Sequence, residues 1–165
     1  MPNTETITEK GVVIKRTRNG LGICATKKFK KSAVLFHVKG RVYNYKTINK
    51  ISGTFQDNTF RFGQETYLSP AGYIGDFLNH SCKPNSAVKK LLGKLYIWAI
   101  TDIAKGEEVT IDYSTTLASD DIWTMRCNCG QGECRKLIKR FNTLPKSLQQ
   151  EYIAKNIVPT YILRM

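Results

Sequence analysis

A mainly β fold of small sheets is what this 165-residue sequence predicts, and two observations carry that reading. Short runs rich in β-branched and aromatic residues recur between Gly, Asn, Lys or Pro turns. Within them hydrophobicity alternates with a period of two, which fits half-buried strands. Leu95, Ile97 and Ala99 alternate with Lys94, Tyr96 and Trp98, and Val109 and Ile111 with Thr110 and Asp112. The predicted strands are, in order, Val12–Thr17, Gly22–Thr26, Ala33–Val38, Arg41–Tyr45, Thr59–Phe62, Thr66–Ser69, Ser86–Lys90, Lys94–Ile100 and Glu108–Tyr113. Leu92-Gly93-Lys94 and Ala104-Lys105-Gly106 read as turns. Helix is scarce: a short segment at Lys46–Ile51, and a firmer one from Lys146 to Asn156. Thr143 and Pro145 open the second and Pro159 follows it, while Leu148, Tyr152 and Ile157 fall near one face, so it should pack.

A chain of this length suits one domain with a single sizeable core. Met1 to Lys10 is polar and reads as loose, with no signal peptide, and no apolar run approaches membrane-spanning length. An intracellular protein is therefore expected, cytoplasmic in a prokaryote or nuclear in a eukaryote. The formal charge is +13, and it is uneven: twelve of the 26 Lys and Arg residues fall in the first fifty positions, against only Glu5 and Glu9. Such a surface attracts polyanions and loses that attraction in salt. It serves equally as a solvated face that keeps a small protein soluble.

The cysteines are more specific. Asn79-His80-Ser81-Cys82-Lys83-Pro84-Asn85 is followed by Cys127-Asn128-Cys129-Gly130 and Cys134. A structural zinc takes four soft ligands and leaves no open position, and the later cluster supplies only three thiols. Cys82 is the candidate fourth, which would tie the tail to the internal Asn-His loop. Cys24, the remaining one of five cysteines, sits in an apolar stretch and reads as a small buried hydrophobe. Short spacing without a secretion signal favours metal over disulfide, although an odd count leaves stray pairing open.

Four ordered blocks carry a resemblance. Asn19-Gly20-Leu21-Gly22-Ile23-Cys24-Ala25-Thr26 leads into Lys30–Leu35; Gly72 to Asn85 holds the Asn-His-Ser-Cys core; Gly106-Glu107-Glu108-Val109-Thr110-Ile111-Asp112-Tyr113 follows; and Cys127 to Arg135 closes the series. The first three resemble the SET domain of protein-lysine methyltransferases, and the last its post-SET element. The resemblance spans roughly residues 11–140. It implies small, mostly antiparallel sheets with a knot-like threaded C-terminal segment, a post-SET zinc site and a C-terminal helix. It divides the chain into a loose N-terminus (1–10), a SET domain (11–114), a zinc element (115–140) and a helical extension (141–165). It also implies S-adenosylmethionine as methyl donor, one structural zinc, and a protein lysine as acceptor.

Carried over residue by residue, the resemblance implies that Tyr113 lies beside the transferred methyl. Alone, Tyr113 would read as a half-buried strand-end tyrosine. Gly20, Leu21 and Gly22 match the loop whose main chain meets the donor's methionine moiety, and glycine permits that approach. Asn79 and His80 match the pair at the donor's adenine end; for His80 a structural hydrogen bond is favoured over a catalytic base or a metal ligand. Phe77 belongs to the cleft wall or the core, and Leu137 is expected near the donor. Ile111, Tyr67 and Tyr73 are candidates for the lysine channel, and Cys82, Cys127, Cys129 and Cys134 for the metal. Two departures stand out: Asp76 occupies a place where relatives carry Arg or Lys, and Val38 one where a channel tyrosine is usual.

The expected function is S-adenosylmethionine-dependent methylation of protein lysines by a monomer without membrane contact. The alternative is a catalytically weak SET-like module that binds nucleic acid or a nucleoprotein through its basic N-terminal half. Because a +13 chain repels free basic tails, a nucleoprotein, ribonucleoprotein or acidic-flanked lysine is the expected substrate.

Overall fold

The structure is a computed structural model that describes residues 9–44, 46 and 58–165. Five small sheets make up most of it. β1 (Val12–Thr17) and β2 (Gly20–Ala25) form an antiparallel hairpin whose register pairs Thr17 with Gly20. β3 (Val34–His37), β9 (Lys94–Ala99) and β8 (Ser86–Leu91) form one three-stranded sheet, with β9 in the middle. β4 (Arg41–Asn44), β6 (Thr66–Ser69) and β5 (Phe60–Gly63) form another, with β6 in the middle. β7 (Asn79–His80) and β10 (Thr110–Ile111) pair in parallel, and β11 (Met125–Arg126) and β12 (Leu137–Ile138) close the cysteine-bearing loop. α1 (Lys146–Ala154) and α2 (Thr160–Leu163) end the chain. This is the mainly β, mostly antiparallel architecture that the sequence predicts.

The strands lie where alternation placed them, within a residue or two at their ends. The exception is Glu108–Tyr113. Only Thr110–Ile111 is a strand there, and Tyr113 opens a 3-10 turn that runs to Thr116. Asp112 ends the strand by accepting a hydrogen bond from the Ser114 amide at 3.0 Å, the local side-chain capture of backbone that favours turns over sheet. α1 stops at Ala154, short of the predicted Asn156, and Asn156 adopts φ 54°. The predicted helix at Lys46–Ile51 lies outside the described residues apart from Lys46, and so does the N-terminus before Glu9. Glu9 itself is held, by an ion pair with Lys39 at 2.6 Å.

The main core collects Ile23, Val38, Leu95, Ile97, Val109 and Ile111 from four different segments. A second cluster forms where Phe141, Leu144, Tyr152, Ile157 and Ile162 close over Ala87 and Ala118. The C-terminal segment is thus a packed part of the molecule, as the helix face predicts.

The parallel β7–β10 pair positions the site. Thr110 lies beside Asn79 and Ile111 beside His80. Asn85 clamps the incoming segment: its amide donates to the Glu108 carbonyl at 2.7 Å, and its carbonyl accepts from the Thr110 amide at 3.0 Å. Ser86 Oγ donates to the Thr110 carbonyl at 2.8 Å.

Behind that seam Asp112 is almost wholly buried. It accepts from Arg135 Nη2 at 2.7 Å and from the Tyr152 hydroxyl at 3.0 Å. A hydrogen bond to a buried charge contributes about 1.5–3 kcal/mol. Tyr152→Phe is expected to lower unfolding free energy by about 2 kcal/mol, read from urea denaturation; an unchanged midpoint would mean that α1 is not anchored through this bond.

Candidate active site and metal centre

Tyr113 sits where the β7–β10 seam ends. Its backbone N–H donates to His80 Nδ1 at 3.1 Å, and its phenol donates to the Leu78 carbonyl at 2.6 Å. Burial, with Glu108 adding to it, pushes the phenol pKa well above the usual range, so the hydroxyl is neutral. With its proton committed to Leu78, the phenol oxygen has lone pairs left to accept from a guest.

That guest would enter a cavity of about 240 Å³ lined by Tyr113, Tyr67, Ile111, Leu78 and Trp123, among others. Two predicted channel residues, Tyr67 and Ile111, therefore share the cavity with Tyr113. Tyr73 does not: it is 47% exposed and outside the lining. Val38 is fully buried, and a Cβ on Gly75 would lie 3.1 Å from Val38 Cγ1, so Val38 supports the cavity wall from behind. Tyr67 donates to Asp121 at 2.6 Å and accepts from Arg61 at 2.9 Å, which fixes its ring.

Asn79 faces the β1–β2 hairpin. Its amide donates to Glu108 Oε1 at 2.8 Å and to the Leu21 carbonyl at 3.1 Å. A Cβ on Gly22 would stand 2.7 Å from Asn79 Nδ2 and would also meet Glu108, so any larger residue would push these two side chains aside. Gly20 has φ 99° and open space around it. The Gly20–Gly22 main chain, Asn79 and Glu108 thus adjoin, leaving Leu21 and Gly20 exposed to a ligand. These groups fit the polar, main-chain contacts that the methionine moiety of a donor needs. Phe77 is half-buried against the main core, and Leu137 is 41% exposed on β12.

Three of the four predicted cysteines come together, and His80 joins them. His80 Nε2 and the sulfurs of Cys82, Cys127 and Cys129 all lie within 4.8 Å of one another. Cys134 faces the same group, its thiol 3.7 Å from the Cys127 carbonyl and acting on the thiols of both Cys127 and Cys129. Burial drives Cys127 and Cys82 up. Against the same burial, the Cys82 and Gln131 amides and the neighbouring thiols bring Cys129 down to about 7. Crowded sulfurs that cannot all ionise together are the donor set a soft divalent cation satisfies.

The tautomer of His80 separates donor from ligand. Because Nδ1 accepts from Tyr113, the proton sits on Nε2 and points at Cys82 Sγ, 3.3 Å away. Burial holds this imidazole's pKa down to about 4, so it is neutral. A protonated Nε2 has no lone pair for a metal. His80 fits as a hydrogen-bond donor to a ligating thiolate, and four thiols fit as the ligands. The Arg135 amide adds a second donor to Cys82 at 3.4 Å.

Sequence reasoning missed Arg61, Asp120, Asp121, Trp123, Glu108 and Arg135. Arg61 and the two aspartates carried a faint signal, a cation between two strand phenylalanines and an acidic pair. Arg18 was also missed; it donates to the Asn128 carbonyl at 3.1 Å and so ties the β1–β2 turn to the cysteine loop.

Comparison with known proteins identifies a family. A family model described as SET domain matches residues 20–114. A Cryptococcus neoformans protein named histone-lysine N-methyltransferase, H3 lysine-36 specific, is 30% identical over 134 residues, covering 74% of this chain and 16% of that relative. A Saccharomyces cerevisiae protein named histone-lysine N-methyltransferase, H3 lysine-4 specific, is 37% identical over 82 residues, 46% of this chain and 8% of the relative. The chain therefore spans a small fraction of the length of either. Among solved structures, Arabidopsis thaliana SUVH6 in complex with SAM superposes with TM-score 0.67 at 19% identity, covering 82% of this chain and 34% of that one. The methyltransferase domain of human SETMAR gives 0.64 at 24% identity, covering 77% and 57%.

The His80 geometry makes a separable expectation about metal. His80→Gln should keep one zinc per chain by elemental analysis, whereas Cys134→Ser and Cys82→Ser should each lose it. The reverse pattern would make His80 the fourth ligand.

Proposed function

This chain belongs to the SET-domain family, and on that premise we propose that it methylates lysine side chains of a protein substrate with S-adenosylmethionine as donor. The observation that carries the proposal is the Tyr113 phenol, whose proton is committed to Leu78 at the end of a side-chain-sized cavity.

When bound, the donor supplies an electrophilic methyl on a sulfonium. The acceptor must arrive as a neutral amine, because an ammonium has no lone pair. An unperturbed lysine near pKa 10.4 costs about 4 kcal/mol to neutralise at pH 7.4. A cavity walled by Ile111, Leu78, Phe60 and Trp123 strips water from the ammonium and pulls its pKa down. Tyr113, kept neutral by burial, is not the base that takes the proton. Its oxygen instead accepts an amine N–H and aims the nitrogen lone pair. Gly20, Leu21, Gly22, Asn79 and His80 hold the donor side, while Tyr67 and Ile111 shape the acceptor side.

In this reading the metal is structural. Cys82, Cys127, Cys129 and Cys134 would hold it, and their shared ligation would join the cysteine loop to the Asn79–Cys82 segment. Arg18 carries the same constraint to the Gly20–Gly22 turn. The division into SET domain, zinc element and helical extension belongs to this proposal, as does an intracellular protein partner.

Tyr113→Phe should cut methyl transfer about 100-fold while moving the melting temperature little, measured by mass spectrometry of a methylated peptide alongside thermal denaturation. Equal turnover would remove Tyr113 from the mechanism. Chelation of the metal should remove donor binding and lower thermal stability together, read by calorimetry with S-adenosylmethionine.

A further inference from the structure

The positive charge of the chain gathers on one part of its surface. Lys10, Lys27, Lys28, Lys30 and Lys31 are exposed and meet at one end of the β1–β2 hairpin. Lys105 joins them from the segment before β10. Backbone pairing brings these three loops together. The Thr26 amide donates to the Gly11 carbonyl at 2.9 Å, which sets Lys10 beside Lys27. Phe29 and Ile103 exchange two backbone hydrogen bonds of 2.9 Å, and the Gly106 amide donates to the Ala25 carbonyl at 2.7 Å. Those bonds lay residues 28–31 against residues 102–105.

Among the described residues the acids on this face are Asp102 and Glu107. Asp102 Oδ1 accepts from the Lys31 amide at 2.9 Å, and Oδ2 pairs with Lys30 at 3.0 Å and Lys28 at 3.7 Å. Glu107 stands at the edge, engaged by the Ala104 amide and by Asn85. Nearby Glu9 is taken by Lys39. Six lysines against two carboxylates leave the face strongly positive. At physiological salt, charges beyond about 8 Å are screened, so this local excess is what a partner meets. The backbone that presents the lysines is already ordered.

What the face lacks identifies the partner. Protein–protein interfaces are rich in aromatic residues and Arg around an apolar centre, and poor in Lys. Here every cation is a Lys, and the one aromatic, Phe29, is buried beneath Lys27, whose ammonium stands 5.2 Å from the ring centre. Single strands stack their bases on exposed aromatic rings, and base edges are read chiefly by forked side chains such as Arg, Asn and Gln. None of these occurs in the three loops. Lysine is a mobile point charge, suited to phosphate.

We propose that this face binds the phosphate backbone of double-stranded nucleic acid without regard to sequence. The inference goes beyond lysine methylation and does not depend on it. The register that pairs Val12 with Ala25 and Thr17 with Gly20 sets the face at the far end of the hairpin from Gly20, about 16 Å along the strand. A docked duplex leaves the Gly20–Gly22 turn clear, so nucleic acid and a methyl donor can be held at once.

The test follows fluorescence anisotropy of a short labelled DNA duplex with the metal-loaded protein across salt. At physiological salt Kd should be about 10 μM, and log K should fall against log salt with a slope of about −4. A duplex of scrambled sequence should bind equally. Duplex RNA is the second arm, and tighter binding of either duplex upholds the inference and names its source. Lys27→Gln, Lys31→Gln and Lys105→Gln together should weaken binding on the order of 30-fold and flatten the slope by about 3. The same three positions changed to Arg should bind as the wild type does. Removing three charges elsewhere, by Lys94→Gln, Lys146→Gln and Lys155→Gln, should shift Kd by less than about 3-fold. Absence of binding at low salt, equal losses in the two Gln triples, tighter binding of single strands or a sequence preference would overturn the inference. Displacement by polyglutamate at equal charge would also overturn it and assign the face to an acidic polypeptide. Addition of S-adenosylmethionine should leave the DNA affinity unchanged; competition between the two would put the duplex on the donor side instead.

Discussion

The buried carboxylate of Asp112 is the point through which the separate parts of this molecule are connected. A lone anion at that depth would be strongly destabilising, and it persists because opposite charge and hydrogen bonds meet it from three segments. Arg135 reaches it from the cysteine loop, Tyr152 from α1, and the Ser114 amide from the turn that Tyr113 opens. His80 Nδ1 stands 3.6 Å away on β7. The group that terminates β10 is thus also the group that ties the C-terminal third of the chain to the residue beside it. Tyr113 owes its direction to that convergence as much as to its own hydrogen bond with Leu78.

The two sides of the site follow from the same seam. On one side of Leu78–His80 lie Asn79, Glu108 and the glycines of β2, where main chain and small residues leave room for a polar ligand. On the other lies a cavity walled by aromatic and aliphatic side chains, sized for an alkyl amine. The clustered thiols lie on neither of these two sides. Their influence travels through His80, which couples Cys82 to the Tyr113 amide, and through Arg18, which couples Asn128 to the β1–β2 turn.

What the sequence made legible depended on how local each determinant was. Val12–Thr17 and Thr66–Ser69 could be read to the residue because alternation and flanking turns are short-range signals. That the later cysteines would meet Cys82 was legible because thiolate chemistry restricts what their spacing can mean, and Cys82, Cys127 and Cys129 do come together; that His80 would stand among them was not. Tyr113 was assigned to a strand because Asp112 continues the alternation; its capture of Ser114 is a choice that periodicity does not encode. Arg61 gave only a faint signal for a related reason. Between Phe60 and Phe62 it has the pattern of an outward residue, yet it is 2% exposed because Asp120 and Asp121, some sixty positions later, neutralise it there. Asp76 was seen as a departure at the donor, and its place on the cavity wall emerged only from the fold.

The parallel pairing of Asn79–His80 with Thr110–Ile111 has a consequence for how the chain assembles. No tight turn can join neighbours that run the same way, and the β8–β9 hairpin is completed between them. Local hairpins form early, whereas this junction waits for distant partners. Until Arg135 emerges to meet Asp112, a nascent chain holds an uncompensated anion at its centre. The molecule therefore gains its working shape only once the segment from Arg135 to Tyr152 is there to close over what came before.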